Sequence, residues 1–165
     1  MSAPTLRIRP AHADDLEVLA AGNADMAAET EGLDLDHDIL RRGIQAVLDG
    51  RAAGRYWVAE HDGRVVGQLL VTYEWSDWRN RQVWWIQSVH VARDARRLGV
   101  FRQMYAFLRA AARAEGAGGL RLYVDETNTR AQAVYAALGM RGGHYRVFED
   151  MFDEPAKLGR GAAAG

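Results

Sequence analysis

Residues 88–108 read SVHVARDARRLGVFRQMYAFL, from Ser88 to Leu108. The stretch opens in a run rich in Trp, Val and Ile, Gln82 to Val91 (QVWWIQSVHV), which reads as a β-strand. A loop carrying Arg93, Arg96 and Arg97 follows, and Gly99 permits a tight turn. Beyond it Phe101, Met104, Tyr105, Leu108, Ala111 and Ala112 form one apolar stripe at helical spacing. A strand therefore feeds a helix through an arginine-rich turn. The first amides of a helix have no intrahelical acceptor, and the helix dipole adds positive potential there. Such a turn is chemically adequate to cradle a pyrophosphate. Taken alone, it is equally a solvated basic loop joining strand to helix.

Working outward, strands and helices mix along the chain. Upstream, Thr5 to Arg9 alternates as a strand and a helix starts at Asp14, with Leu16, Leu19 and Ala20 on its face. A second helix is expected from Asp38 to Leu48. Tyr56 to Glu60 and Val65 to Tyr73 flank His61-Asp62-Gly63-Arg64, and Asp-Gly between two β-rich runs is a hairpin signal. Downstream, Gly116 to Gly119 closes the arginine-led helix. Leu120 to Val124 then reads as a strand, Thr127 to Leu138 as a helix ended by Gly139, and Tyr145 to Phe152 as a last strand. No repeat or interdomain linker interrupts the pattern. The expectation is one α/β domain over 1–155, built on a mixed sheet, with a loose tail over 156–165 whose GRGAAAG end has little apolar surface.

Composition narrows the chemistry. At 165 residues, 48% hydrophobic and 26% charged, the chain suits one globular core. The formal charge of −1 argues against a nucleic-acid-binding protein. Cysteine is absent, which removes disulfides, thiolate nucleophiles and sulfur-held metals. The five histidines show no ligand spacing, so no metal is expected, and His90 reads as packed or solvent-facing rather than catalytic. MSAPTLRIRP does not read as a secretory signal, and no apolar run is long enough for a membrane span. A soluble, cytoplasmic protein is expected.

Asn128, Ala131 and Tyr135 share one face of the expected Thr127–Leu138 helix. Tyr135 can present a phenol as a weak acid, or can be packed in the core with its hydroxyl satisfied. Together the two stretches resemble the GNAT superfamily of acyl-CoA-dependent N-acyltransferases, over Thr5 to Phe152. The family loop, Arg/Gln-x-x-Gly-x-Gly/Ala, falls on Arg96-Arg97-Leu98-Gly99-Val100-Phe101. Phe101 stands where the family has a small residue, so its ring must point away from any phosphate, into the core.

The resemblance implies a mostly antiparallel sheet splayed between its fourth and fifth strands and flanked by helices. It implies acetyl-CoA as co-substrate, held by Val89, His90 and Val91 along the pantetheine arm. Amides from Arg97 through Leu98, Gly99, Val100 and Phe101 to Arg102 would meet the phosphates, with Arg96 and Asn128 also in contact. An N–H near Val89 would stabilise the thioester oxygen of a tetrahedral adduct, and Tyr135 would protonate the departing thiolate. Dimers are common in the family, so a homodimer is a possible assembly.

The implied acceptor is a small-molecule primary amine, expected to be cationic. Diamine acetyltransferases of the family carry Glu-Asp where Gln87-Ser88 stand here, and Gln cannot serve as a base. A water relay, or a carboxylate from elsewhere, must take the proton; Glu29, Glu31 and Asp77 are the candidates. Ala28 to Asp38 is acidic, and either borders an acceptor pocket or is an exposed loop. Trp84 and Trp85 alternate, so at most one faces that pocket. The expected acceptor-side set is Glu29, Glu31, Trp75, Asp77, Trp84 and Gln87. Two other readings remain: acetylation of a protein N-terminus or lysine, and a non-catalytic CoA-binding sensor.

Overall fold

The computed structural model describes residues 5–143 and 145–153 and divides them into two compact units, one reaching to Arg121 and the other from Leu122 onward. The first unit holds a five-stranded sheet laid down in chain order: β1 (Arg7–Pro10), β2 (Arg55–His61), β3 (Arg64–Ser76), β4 (Arg81–Val91) and β5 (Gly119–Arg121). Helices α1 (Leu16–Glu31) and α2 (His37–Leu48) come between β1 and β2, and α3 (Val100–Ala114) between β4 and β5. The first four strands pair antiparallel and β5 joins β4 in parallel, giving the mixed α/β fold. Asp62 and Gly63 both take positive φ, 49° and 75°, the turn that two-residue hairpins require.

Strand alternation sorts the core into two faces. Leu19 and Ala20 of α1 and Ile44 of α2 pack with Tyr56, Val58 and Leu70 on one. On the other, α3 covers Trp57 and Gly67: Phe107 meets the Trp57 ring edge-on at 5.4 Å, and Val100 and Met104 crowd Gly67. Gln68 lies buried at 2% exposure on the α1 face, its amide donating to Leu19 C=O (2.9 Å) and Asn23 Oδ1 (3.0 Å). Asn23 in turn donates to the Tyr56 hydroxyl at 3.1 Å, so the buried amides are satisfied. Gly22 makes room for this network, because a Cβ there would stand 2.4 Å from Gln68 Oε1.

Helix entry differs from the expected start at Asp14. The chain makes a single 3-10 turn over Ala13–Asp15, and Asp15 is the anchor: it accepts the His12 N–H at 2.8 Å and both guanidinium nitrogens of Arg9.

In the second unit, helix α4 (Thr129–Ala137) starts two residues later than the helix expected from Thr127. Asn128 caps it, accepting the Ala131 N–H at 3.1 Å, and Gly139 ends it with φ 84°. The expected strand from Leu120 to Val124 is strand only over Gly119–Arg121. The last strand expected over Tyr145 to Phe152 is not formed among the described residues. Its side chains are exposed on both alternating sets, Tyr145 at 79% and Phe148 at 93%, so alternation there has neither a buried face nor a ladder partner to hold it. The expected tail over 156–165 lies outside the described residues.

Candidate active site

The site is built on the second half of β4. Up to Trp85 the strand is flanked on both sides, by β3 and by β5, whose pairing ends at Trp85–Arg121. From there the register with β3 slips: Leu70 faces Gln87 but Gln68 faces His90. Ser88 and Val89 thus oppose Leu69 alone, a β-bulge, with Ser88 in the left-handed region at φ 49°. Beyond the bulge the Ala92 N–H donates to Val66 C=O at 2.9 Å, whereas Val91 C=O accepts Arg96 Nε at 3.0 Å. Alternation therefore turns the main-chain groups of Val91 and Val89 away from β3, toward the edge that β5 does not cover.

The loop after β4 makes one 3-10 turn over Arg93–Ala95 and reaches Gly99, whose φ of 69° only glycine adopts at no steric cost. Gly99 is the N-cap of α3 and supplies no side chain, so the amides of the first helical turn have no capping acceptor. Arg97 and Arg102 are exposed beside them. Phe101 turns along the helix and packs on Tyr105, ring centroids 6.3 Å apart. These residues fit a diphosphate-bearing thioester: uncapped amides and two cations for the anionic end, and for an amide-rich arm a strand edge that β5 does not cover, with Val91 C=O held by Arg96.

Arg96 is held otherwise than a simple phosphate ligand. Besides Val91, it pairs through NH2 with Glu29 Oε2 at 2.7 Å, and Arg93 takes Glu29 Oε1 at 2.6 Å. Hydrogen bonds from Arg96 and then Arg93 hold the Glu29 carboxyl below its ordinary pKa. Glu29 thereby ties α1 to the loop. Glu31 is exposed at the end of α1, and Asp77 accepts the Trp78 N–H at the β3–β4 turn, where Trp75 is also exposed.

Trp84 is a core residue at 3% exposure, on the α3 face beside Tyr73 and Arg55. Trp85 is the tryptophan on the α1 face, in line with Gln87. Its indole N–H donates to Glu74 Oε2 at 2.8 Å, and Glu74 Oε1 pairs with Arg121 at 2.6 Å. Gln87 donates to Thr72 Oγ1 at 2.5 Å. Glu74 carries no motif and was not expected; only its even position in β3, shared with Gln68, Leu70 and Thr72, marks its face. The bulge also went unread, since Ser88 is not the glycine that usually flags one.

In the second unit, Asn128 faces its own helix start as the cap. Tyr135 lies half-buried on α4, and burial pushes its phenol above the ordinary pKa. Among the described residues no cluster of side chains could hold a metal ion, and no helix is long and apolar enough to cross a membrane.

Residues 21–140 match the model of the acetyltransferase (GNAT) family. No curated protein matches. Among solved structures, a possible acetyltransferase from Clostridium difficile 630 is 39% identical, with 90% of this chain and 99% of that one covered and a TM-score of 0.83. An aminoglycoside N-acetyltransferase in complex with CoA shares 17% identity over 92% and 98% of the two chains, at TM-score 0.75. A predicted acetyltransferase with acetyl-CoA, from Clostridium acetobutylicum, shares 15% over 88% and 96%, at TM-score 0.72. With these last two the likeness is one of fold.

Proposed function

The chain belongs to the GNAT acetyltransferase family, and from that premise we propose that it transfers an acetyl group from acetyl-CoA directly to a primary amine. The observation that carries the reading is the continuity of β4 with α3: a bulged strand edge with main-chain groups turned outward, leading through an arginine loop to uncapped helix amides.

In this mechanism the amides of the first turn of α3, with Arg97 and Arg102, bind the diphosphate. The β4 edge at Val89 and Val91 aligns the pantetheine arm, and the Val89 N–H stabilises negative charge on the thioester oxygen as nitrogen attacks. The carbon–nitrogen bond forms, the tetrahedral adduct collapses, and the carbon–sulfur bond breaks with its electron pair on sulfur. Tyr135, the acid that the family resemblance assigns, gives its proton to that thiolate. No acyl-enzyme is needed, in keeping with a chain without cysteine.

Support for a strongly cationic small amine is weaker than for acetyl transfer itself, because Glu29 is already paired with two arginines. The test is acetyl-CoA consumption against amino acids, peptides, polyamines and aminoglycosides, beside calorimetry with CoA. Turnover with any of these amines is the expected result. CoA binding without turnover would favour the sensor reading, and no binding would overturn both.

A further inference from the structure

An ammonium must lose a proton before its nitrogen can attack, and the reaction proposed above leaves that proton without an acceptor. The ionisable side chains of β4 are Arg81 and His90. Directly opposed residues of an antiparallel pair share a face. His90 opposes Gln68, whose side chain reaches α1, so His90 lies on the α1 face with Gln87 and Trp85. Its main chain sits between Val89 and Val91, the residues assigned to the thioester and its arm.

Two other carboxylates near this face are engaged. Glu74 gives one oxygen to Arg121 and the other to Trp85, and Glu29 is bridged by Arg93 and Arg96. Gln87 has no basic atom. His90 is half-buried and within electrostatic reach of Asp25 and Glu29 on α1 and of Arg96 on the loop.

Resting on the acetyl-transfer reading, we propose that His90 takes the proton from the acceptor's ammonium, and that the acceptor is an α-amine, as in a free amino acid or a peptide N-terminus. A ring nitrogen accepts the proton, the neutral amine attacks the thioester carbon, and the imidazolium later releases the proton to solvent. The second nitrogen-bound proton leaves as the adduct collapses and restores the one Tyr135 gave to sulfur. Burial lowers the His90 pKa, Arg96 adds to this, and Asp25 and Glu29 oppose it. The imidazole is thus neutral at pH 7 but a weak base. The α-ammonium of a peptide has a pKa of about 8, against about 10.4 for a lysine-type ammonium, and that of a free amino acid lies between them because its own carboxylate stabilises it. The proton is therefore easier to take from a peptide α-amine by a factor of about 250, and from a free amino acid by less. Paired Glu29 and Glu74 offer little to a polycation in compensation.

The experiment measures kcat/KM against pH for wild type, His90→Gln and His90→Ala, with free amino acids, dipeptides, Nα-blocked lysine and spermidine as acceptors. For the wild type, an acidic limb below pH 6.5 and at least about 100-fold preference for dipeptides over Nα-blocked lysine are expected, with a smaller margin for free amino acids. Free amino acids and dipeptides are separate arms and decide which source of the α-amine is used. His90→Gln should lose about 100-fold at pH 7, lose the limb and become dependent on the deprotonated amine, with acetyl-CoA affinity unchanged. His90→Ala should regain activity with added imidazole. Retention of rate and limb in His90→Gln overturns the base, and preference for spermidine or blocked lysine overturns the α-amine. Both outcomes leave acetyl transfer standing; a wild type that binds no CoA and acetylates nothing removes the reading beneath them.

Discussion

In the proposed transfer Tyr135 yields its proton only when a thiolate forms, and burial, which raises its pKa, makes it hold that proton more tightly than a free phenol does. Tyr135→Phe keeps the ring and removes the acid. It should lower kcat by at least about 100-fold while CoA affinity in calorimetry stays within about two-fold; equal turnover would release Tyr135 from that role. Ser88 poses a backbone question instead. Its φ of 49° costs an L-residue about 1–2 kcal/mol, a cost glycine escapes. Ser88→Gly should therefore unfold at equal or higher urea concentration, and Ser88→Val should lose about 1–2 kcal/mol and turnover with it. At this scale legibility tracked local chemistry. Gly99 announces itself as the turn before a helix, whereas Glu74 and the bulge depend on which strand lies opposite, information no short window contains.

Elements were more legible than contacts, because periodicity and turn residues are local. The Asp62-Gly63 hairpin, the stripe of α3 and the end of α4 at Gly139 all stand where their residues place them. The failures share a cause. Tyr145 to Phe152 alternates like a strand, but a strand is defined by its partner, and none pairs with it among the described residues. At the start of α1 the anchor is Asp15 rather than Asp14, since only tertiary contact with Arg9 separates two adjacent aspartates. That junction predicts a pH effect. Burial pushes the Asp15 carboxyl up, but hydrogen bonds from Arg9 and the His12 N–H outweigh it, leaving it below its ordinary value. Arg9 likewise lowers Glu60. Carboxylates depressed in the folded state stabilise it fully above their unfolded pKa values and cease to as pH falls through the folded ones. Urea midpoints should hold above about pH 5 and fall below about pH 4. Asp15→Asn, which leaves the part-buried Arg9 with Glu60 as its remaining carboxylate, should cost about 2 kcal/mol at pH 7 and reduce that slope. An unchanged slope would assign the acid sensitivity elsewhere.

For the molecule as a whole, a net charge of −1 means that attraction for a polyanionic co-substrate cannot come from a general positive field. It must be local, and screening limits it to about 8 Å at physiological ionic strength. The consequence is a sharp division of labour within one ligand. A ligand bound only to the folded state at about 100 times its Kd adds about 2.7 kcal/mol, which for a chain of this size raises Tm by about 5–10 °C. Acetyl-CoA should produce that shift, and phosphate-free pantetheine at equal concentration should produce little of it. Replacing Arg97 and Arg102 together by Ala should bring the acetyl-CoA shift down toward the pantetheine one, and should weaken its salt dependence at the same time. Equal shifts for the two ligands would mean that the strand edge alone binds and the arginine turn is only a solvated loop. An unchanged shift in the double variant, with pantetheine still inactive, would instead give the phosphates to Arg93 and Arg96 and require that Glu29 release them on binding.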